Sequence, residues 1–248
     1  MKTLDEISLE FGTDKSSAKH NYTKLYSLYF GDIRLEKLKI LEIGVDKGFS
    51  LKSWKKYFPN SEITGIDIIN LKYMEEERIH IEQGDQADPM FLTNINNKYG
   101  PFDIIIDDGS HYNENTKKSF ECLFPMLKKG GLYIVEDLHA FYKGGKFGEP
   151  IFIDKLKEII DLVNSSGKSG TGNIQRDSEW NQAKMDWWEK NVEFLHLYRS
   201  IVFIKKYPSF NDSKKYIIVA EPKKYNDLLI IRLARKIKSF LRSKLKTK

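Results

Sequence analysis

The chain has 248 residues, enough to bury a large core, and its one cysteine, Cys122, excludes an intrachain disulfide and a cysteine zinc cluster. The N-terminus carries no apolar signal segment and no stretch approaches the ~18 apolar residues of a membrane span, so a cytoplasmic location is expected. The net charge of +6 does not belong to the body of the protein: residues 226–248 hold eight Lys/Arg against one Asp, the rest sums to −1, and no nucleic-acid partner is expected.

Residues 3–31 read as helical, with a break at Phe11-Gly-Thr-Asp-Lys15 and Thr13 or Asp14 in position to cap the second helix. His20, Tyr22, Tyr26 and Tyr29 follow. Two readings stay open for this segment, taken as 1–32: an amphipathic helix packed over a sheet edge, or a lid that brings polar groups over a cofactor. Lys39–Val45 is the first expected strand, running into Gly44-Val-Asp-Lys-Gly48 and a helix over Phe49–Tyr57. Glu62–Ile68 and Ile79–Asp85 are the second and third strands, with a helix over Ala87–Lys98. Phe102–Asp107 is the fourth, an apolar run that reads as buried on both faces; a helix over Asn115–Lys128 and a fifth strand over Gly131–Asp137 follow. Strands alternating with helices at this spacing imply a parallel sheet covered on both faces.

Phe152–Val163 reads as another amphipathic helix. Asn164–Asn173 is a Gly/Ser-rich stretch, read as a mobile loop or a plain connector within one domain. Helical, aromatic character returns over Glu179–Asn191, with Trp180, Trp187 and Trp188. Val192–Tyr198 and Ser200–Lys206 suit a tightly connected antiparallel pair that closes the sheet. The main domain is therefore expected over 33–210, with a C-terminal extension over 211–248. That extension ends in a basic amphipathic helix: Ile230, Leu233, Ile237 and Leu241 share one face, and Arg232, Arg235, Lys236 and Lys238 lie on the other. Such a helix suits peripheral contact with an anionic membrane or a partner, or docking on its own domain.

Chemistry collects at the expected carboxyl ends of the strands, where open α/β sheets bind ligands. Glu42-Ile-Gly44-Val-Asp-Lys-Gly48 lacks the middle glycine of a dinucleotide fingerprint, which disfavours a pyrophosphate cofactor. S-adenosylmethionine needs no phosphate cradle. Asp67, 23 residues after Gly44, is placed for ribose hydroxyls, and Gly84-Asp85-Gln86 for adenine, whose exocyclic amine a carboxylate accepts. Strand-terminal acids that merely cap helices explain each of these singly but not the set.

Glu42–Gly48, Gly65-Ile-Asp67, Gly84–Gln86, Asp107-Asp-Gly-Ser-His111 and Val135-Glu-Asp-Leu138 together resemble class I S-adenosylmethionine-dependent methyltransferases. More narrowly, with Gly12-Thr-Asp-Lys15, His20 and Tyr22, they resemble the metal-dependent sugar O-methyltransferases of the macrocin and mycinose type, over residues 10–206. The resemblance implies a Rossmann-like, seven-stranded, mostly parallel sheet with an antiparallel last strand. It implies cofactor contacts from Glu42, Gly44, Val45, Gly48, Ser50, Asp67, Ile68, Asp85, Gln86 and Asp107. It implies Mg²⁺ on Asp108 and Asp137, which end neighbouring strands, with Glu136 as a third ligand only if the strand has ended before it. His111 becomes the general base, since imidazole ordinarily titrates near ~6.5. His139 and Tyr142 are the candidates for the acceptor pocket; His80 and His196, inside strands, read as structural.

The expected activity is methylation of a sugar hydroxyl. The basic tail directs the choice of acceptor toward a bacterial surface polysaccharide, capsule or lipopolysaccharide, carried on a nucleotide or lipid. A small-molecule acceptor of macrolide or catechol type is the alternative, and a non-catalytic S-adenosylmethionine-binding protein, which would have a spoiled site, is the other. A homo-oligomer is compatible with either.

Overall fold

A computed structural model of the chain describes residues 1–144, 147–164 and 186–208. Most of the Gly/Ser-rich stretch, Trp180 with the start of the expected 179–191 helix, and the basic helix of the extension lie outside the described residues.

Five parallel strands come first: β1 Lys39–Ile43, β2 Glu62–Asp67, β3 Ile79–Gln83, β4 Ile104–Asp107 and β5 Leu132–Val135. β6 Val192–Tyr198 and β7 Ile201–Lys206 complete a seven-stranded sheet in the order β3-β2-β1-β4-β5-β7-β6, with β7 antiparallel to both its neighbours. β4 and β5 are buried at every position, as strands covered on both faces must be, and this is why they read as unbroken apolar runs.

Two layers of helix bury the sheet. One face packs against α1 Leu4–Phe11, α2 Tyr22–Phe30 and α3 Phe49–Tyr57, through Leu4, Ile7, Tyr26, Phe30 and Trp54. The other packs against α4 Pro89–Tyr99, α5 Asn113–Met126, α6 Ile151–Asn164 and the short α7 Trp187–Asn191, through Leu92, Phe120, Phe124 and Phe152. Local chemistry sets several ends. Thr3 and Glu6 form a capping box on α1, Asp88 caps α4 ahead of Pro89, and Asp186 with Glu189 caps α7.

The second helix does not start at Thr13 or Asp14. It starts at Tyr22, and its flanking residue Asn21 adopts a left-handed conformation (φ 56°) with no side-chain cap. Residues 13–21 fold back on themselves instead, through His20 N–H to the Asp14 carbonyl (2.9 Å) and Asn21 N–H to the Ser16 carbonyl (2.9 Å). Asp5 of α1 pins this turn, because its carboxylate accepts from Ser17 N–H (2.7 Å), the Ser17 hydroxyl (2.6 Å) and the Thr23 hydroxyl (2.7 Å). Lacking a cap, α2 is held by packing. Tyr26 and Phe30 are fully buried, and the Tyr26 ring lies 5.1 Å from Trp54 and 5.5 Å from Phe203.

Register levels the strand ends. Ile43 pairs with Ile66 on one side and Asp107 on the other, and Asp107 pairs with Val135. The residues that follow β1, β2, β4 and β5 therefore emerge side by side. The chain reverses its direction of winding between β1 and β4, which opens a crevice at that level.

Removing the Asp5 carboxylate should free the 13–21 turn without unfolding the sheet. In Asp5→Ala, hydrogen exchange at the amides of 16–23 is expected to speed up by the equivalent of about 1–2 kcal/mol, as for loss of charged hydrogen bonds, with β4 amides still protected.

Candidate active site

A cavity of about 580 Å³ opens over the levelled strand ends. The loops after β1, β2, β3 and β4 line it, and so do Gly12–Lys15 and Lys19 from the N-terminal segment. That segment is thus both a packed cover and a wall of the cavity.

Of the residues assigned to the cofactor, Gly44, Val45, Ser50, Ile68, Asp67, Asp85 and Gln86 line the cavity. Asp67 supports its own wall, accepting from Val45 N–H (2.9 Å), Asp46 N–H (3.3 Å) and Ile69 N–H (3.0 Å). The Gln86 amide is committed to the structure: its oxygen accepts from Ser110 N–H (2.7 Å) and its nitrogen donates to Asp107 (3.3 Å). Gly48 does not line the cavity but begins α3 in a left-handed conformation (φ 70°). Gly44 has φ 91°, and a Cβ there would stand 2.2 Å from the Asp108 carbonyl oxygen. Its missing side chain is thus needed by the neighbouring loop, a constraint separate from any cofactor contact.

Two assigned acids do not reach the cavity. Asp107 is buried and faces the α5 side, where it accepts from the Ser119 hydroxyl (2.6 Å) and the Tyr133 hydroxyl (3.2 Å); burial raises its pKa, and the Ser119 bond opposes the rise. Glu42 is fully buried behind the cavity wall, accepting from the Ser50 hydroxyl (2.8 Å) and the Trp54 ring nitrogen (3.1 Å).

A cluster of two aspartates and a histidine lies at the β4 and β5 ends. His111 Nε2 stands 3.8 Å from Asp108 Oδ1 and 3.8 Å from Asp137 Oδ2. One ligand atom from each of these three side chains fits within 4.8 Å of the others, and they are the one such group found among the described residues. His111 (φ 55°) and Asp137 (φ 53°) both hold left-handed conformations, which are uncommon away from glycine and gather at functional sites. Two carboxylate oxygens with an imidazole between them suit a divalent cation; magnesium would take the oxygens and fill its remaining positions with water or substrate.

Glu136 is not in this group. The strand ends at Val135, so the alternation that separated Glu136 from Asp137 no longer applies, yet their side chains still part. Glu136 turns inward, accepting from Lys15 Nζ (2.9 Å) and from the Tyr26 hydroxyl.

Lys15 is a residue of this cluster to which the sequence assigns no role. Its ammonium is buried with side-chain exposure of 2%, bonded to Asp108 Oδ2, 2.9 Å from Glu136 and 3.4 Å from Glu42. Burial alone would lower its pKa, but those carboxylates reverse the effect and hold it well above its ordinary value. One ammonium does not neutralise three acids. Burial accordingly pushes Glu136 up, with the Asp108 charge adding to it, and raises Glu42 to about 7 against the partial opposition of Lys15. A lysine in a short polar turn gives no periodic signal of burial; its presence in Gly12-Thr-Asp-Lys15 was the only hint.

His139 and Tyr142 sit on the 3-10 turn Leu138–Tyr142 that follows Asp137. Neither lines the cavity: the His139 ring is 2.7 Å from the Ser200 hydroxyl, and Tyr142 is exposed. His196 meets the Tyr29 hydroxyl (2.8 Å) and His80 meets Glu62 (3.1 Å), both away from the centre.

The sheet, its antiparallel seventh strand and the crevice over β1 and β4 are those of the class I S-adenosylmethionine-dependent methyltransferase fold, to which the chain belongs. No family model matches the chain. Within that class, the relatives that it matches at 30% identity or more over most of its length are sugar O-methyltransferases. It is 36% identical over 217 residues to the mycinamicin VI 2''-O-methyltransferase of Micromonospora griseorubida, covering 82% of this chain and 52% of that protein. It is 35% identical to the demethylmacrocin O-methyltransferase of Streptomyces fradiae, covering 82% and 53%. The solved structure of the MycE methyltransferase from the mycinamycin pathway, in complex with Mg and SAH, superposes with a TM-score of 0.74 at 34% identity, over 83% of this chain and 54% of that one. The chain therefore spans about half the length of these relatives.

Glu42 carries a pH signature. Its folded-state pKa is about 7 against an ordinary 4.5, so between these values the native state holds a proton that the unfolded state has lost. Its contribution to stability is full below 4.5 and lost as pH rises through about 7. Urea melts across this range should show Glu42→Gln gaining stability relative to wild type as the pH rises; a constant difference would contradict the assignment.

Proposed function

We propose that the chain transfers a methyl group from S-adenosylmethionine to a sugar hydroxyl, with Asp108 and Asp137 holding Mg²⁺ and His111 acting as general base. The observation that carries this reading is the placement of His111 Nε2 at 3.8 Å from a carboxylate oxygen of each aspartate, beside a cavity walled by the β1–β3 loops. When bound, the metal would lower the pKa of a coordinated hydroxyl, and the sulfonium would supply an electrophilic methyl.

The protein's own part is positional and acid–base. Gly44, Val45, Asp67, Ile68 and Asp85 form the wall against which the nucleoside lies, with Ser50 and Gln86 bracing it. Glu42 and Asp107 act from behind, fixing α3 and the β4 loop. His111 accepts the hydroxyl proton. The sugar oxygen then bonds to the methyl carbon as the carbon–sulfur bond breaks, leaving a thioether and a protonated imidazole. Alignment of oxygen, carbon and sulfur is the main contribution. Residues 33–210 serve as the catalytic domain and 1–32 as its lid; His139 and Tyr142 stand on the acceptor side.

The acceptor is a sugar on a glycosylated natural product. The relatives' names support this: mycinamicin VI and demethylmacrocin are what those enzymes methylate. The surface-polysaccharide acceptor expected from the sequence rests on the basic composition of 226–248 alone, and no relative's name supports it. The expected peripheral membrane contact falls on 226–248, outside the described residues; among the described residues no helix is long and apolar enough to cross a membrane. A non-catalytic protein would not be expected to keep both aspartates and the histidine together.

Labelled S-adenosylmethionine offered with a panel of glycosylated natural products and nucleotide-sugars should give turnover with the former. EDTA should abolish it and Mg²⁺ restore it. His111→Ala is expected to lower kcat by about 10²–10⁴-fold, as for loss of a general base. Activity indifferent to EDTA would remove the metal, and near-normal kcat in the variant would remove the base.

A further inference from the structure

The two aspartates of the centre are held in the same way. Asp137 Oδ1 accepts from the Tyr22 hydroxyl (2.6 Å), while Oδ2 faces His111. Asp108 Oδ2 accepts from Lys15 Nζ, while Oδ1 faces His111. Each carboxylate thus spends one oxygen on the N-terminal segment and presents the other to the centre. Both donors are themselves fixed. Tyr22 is buried in the core on one face of the sheet, its ring stacked on His20 at 5.3 Å. Lys15 is buried, and its second partner, Glu136, is held by Tyr26. Tyr22 and Tyr26 are one helical turn apart on a single face of α2 and grip the consecutive residues Asp137 and Glu136.

We propose that Tyr22 and Lys15 are positioning residues of the metal centre: by taking one oxygen of each aspartate they commit the other to the cation, so the docked N-terminal segment completes the site. The inference rests on the metal reading above, and its physical basis is that groups holding a metal's ligands fix their direction and raise affinity. Without the Tyr22 hydroxyl, Asp137, already on a left-handed backbone, is free to rotate its carboxylate away from His111. Without the Lys15 ammonium, Asp108 loses its orienting partner and faces Glu136 uncompensated. The segment that walls the cavity would then also govern how well the cation binds, and cover and centre form together.

The test measures Mn²⁺ affinity of the full chain directly, by loss of the free-ion electron paramagnetic resonance signal, alongside thermal stability. Tyr22→Phe keeps the ring and removes only the hydroxyl. It is expected to weaken Mn²⁺ binding by about 10–100-fold with little change in Tm, and its kcat should be recovered at raised Mg²⁺. Lys15→Met should weaken binding similarly where it folds; where it does not, Tyr22→Phe alone decides. Tyr29→Phe is the control, since Tyr29 lies on the same helix but bonds His196 and Tyr198; it should bind Mn²⁺ as wild type does. Wild-type affinity in Tyr22→Phe overturns this inference while leaving the proposed function standing. Equal weakening in Tyr29→Phe also overturns it, because the effect would then be a general loosening of α2. A wild-type protein that binds no Mn²⁺ overturns both.

Discussion

One buried ammonium organises the site. Lys15 lies among Asp108, Glu136 and Glu42, carboxyl groups from three different strand ends, and no other lysine or arginine reaches them among the described residues. Burying a charge is tolerable only with partners, and removing one partner of a buried set leaves the others exposed to the full desolvation cost. The 13–21 turn is therefore obliged to stay docked: its lysine has nowhere comparable to go, and the acids have no substitute for it. Asp5 and the uncapped, packing-held α2 reinforce that docking from outside. What begins as an electrostatic requirement becomes the reason that an N-terminal segment, remote in sequence, forms a wall of the cavity.

The sheet makes this possible by alternation and register. Asp107 and Asp108 are neighbours in sequence but face opposite ways, one to Ser119 and Tyr133, the other to Lys15 and His111. The first anchors the loop to α5; the second reaches the centre. Glu136 and Asp137 divide similarly, although β5 has ended, because the left-handed backbone at Asp137 redirects its side chain. Each strand end thus gives one acid to the scaffold and one to the cavity.

The fold was legible in the sequence because its signals are local and redundant. Buried strands such as Leu132–Val135 are unbroken runs of apolar and aromatic residues, and their helices are amphipathic and partly capped. The start of α2 was not legible, because Thr13 and Asp14 have the chemistry of caps, while the groups that overrule them, Asp5 and Ser17, act across a fold the sequence does not display. In the candidate site, the strand-end positions pick out the acids and the histidine, but not their directions. Glu42 and Asp107 read as cofactor contacts and lie buried outside the cavity lining; Glu136 reads as a third ligand and bonds Lys15 and Tyr26. Direction depends on what lies behind each residue, and that is tertiary information. Lys15 stood out only as part of Gly12-Thr-Asp-Lys15, and its contacts were hidden for the same reason: nothing about a lysine in a polar turn announces three acids waiting beneath it.

The close approach at Gly44 bears on how such a protein can change over generations. An L-residue at 44 would intrude on the Asp108 carbonyl, so the loop after β1 and the loop after β4 touch backbone to backbone. Neither can drift alone: a substitution that reshapes the cavity wall at Gly44 also moves Asp108. Tyr142 and His139, outside that contact, are under no such restraint. Sequence change should be tolerated more readily there, while the two loops that meet at Gly44 remain locked as a pair.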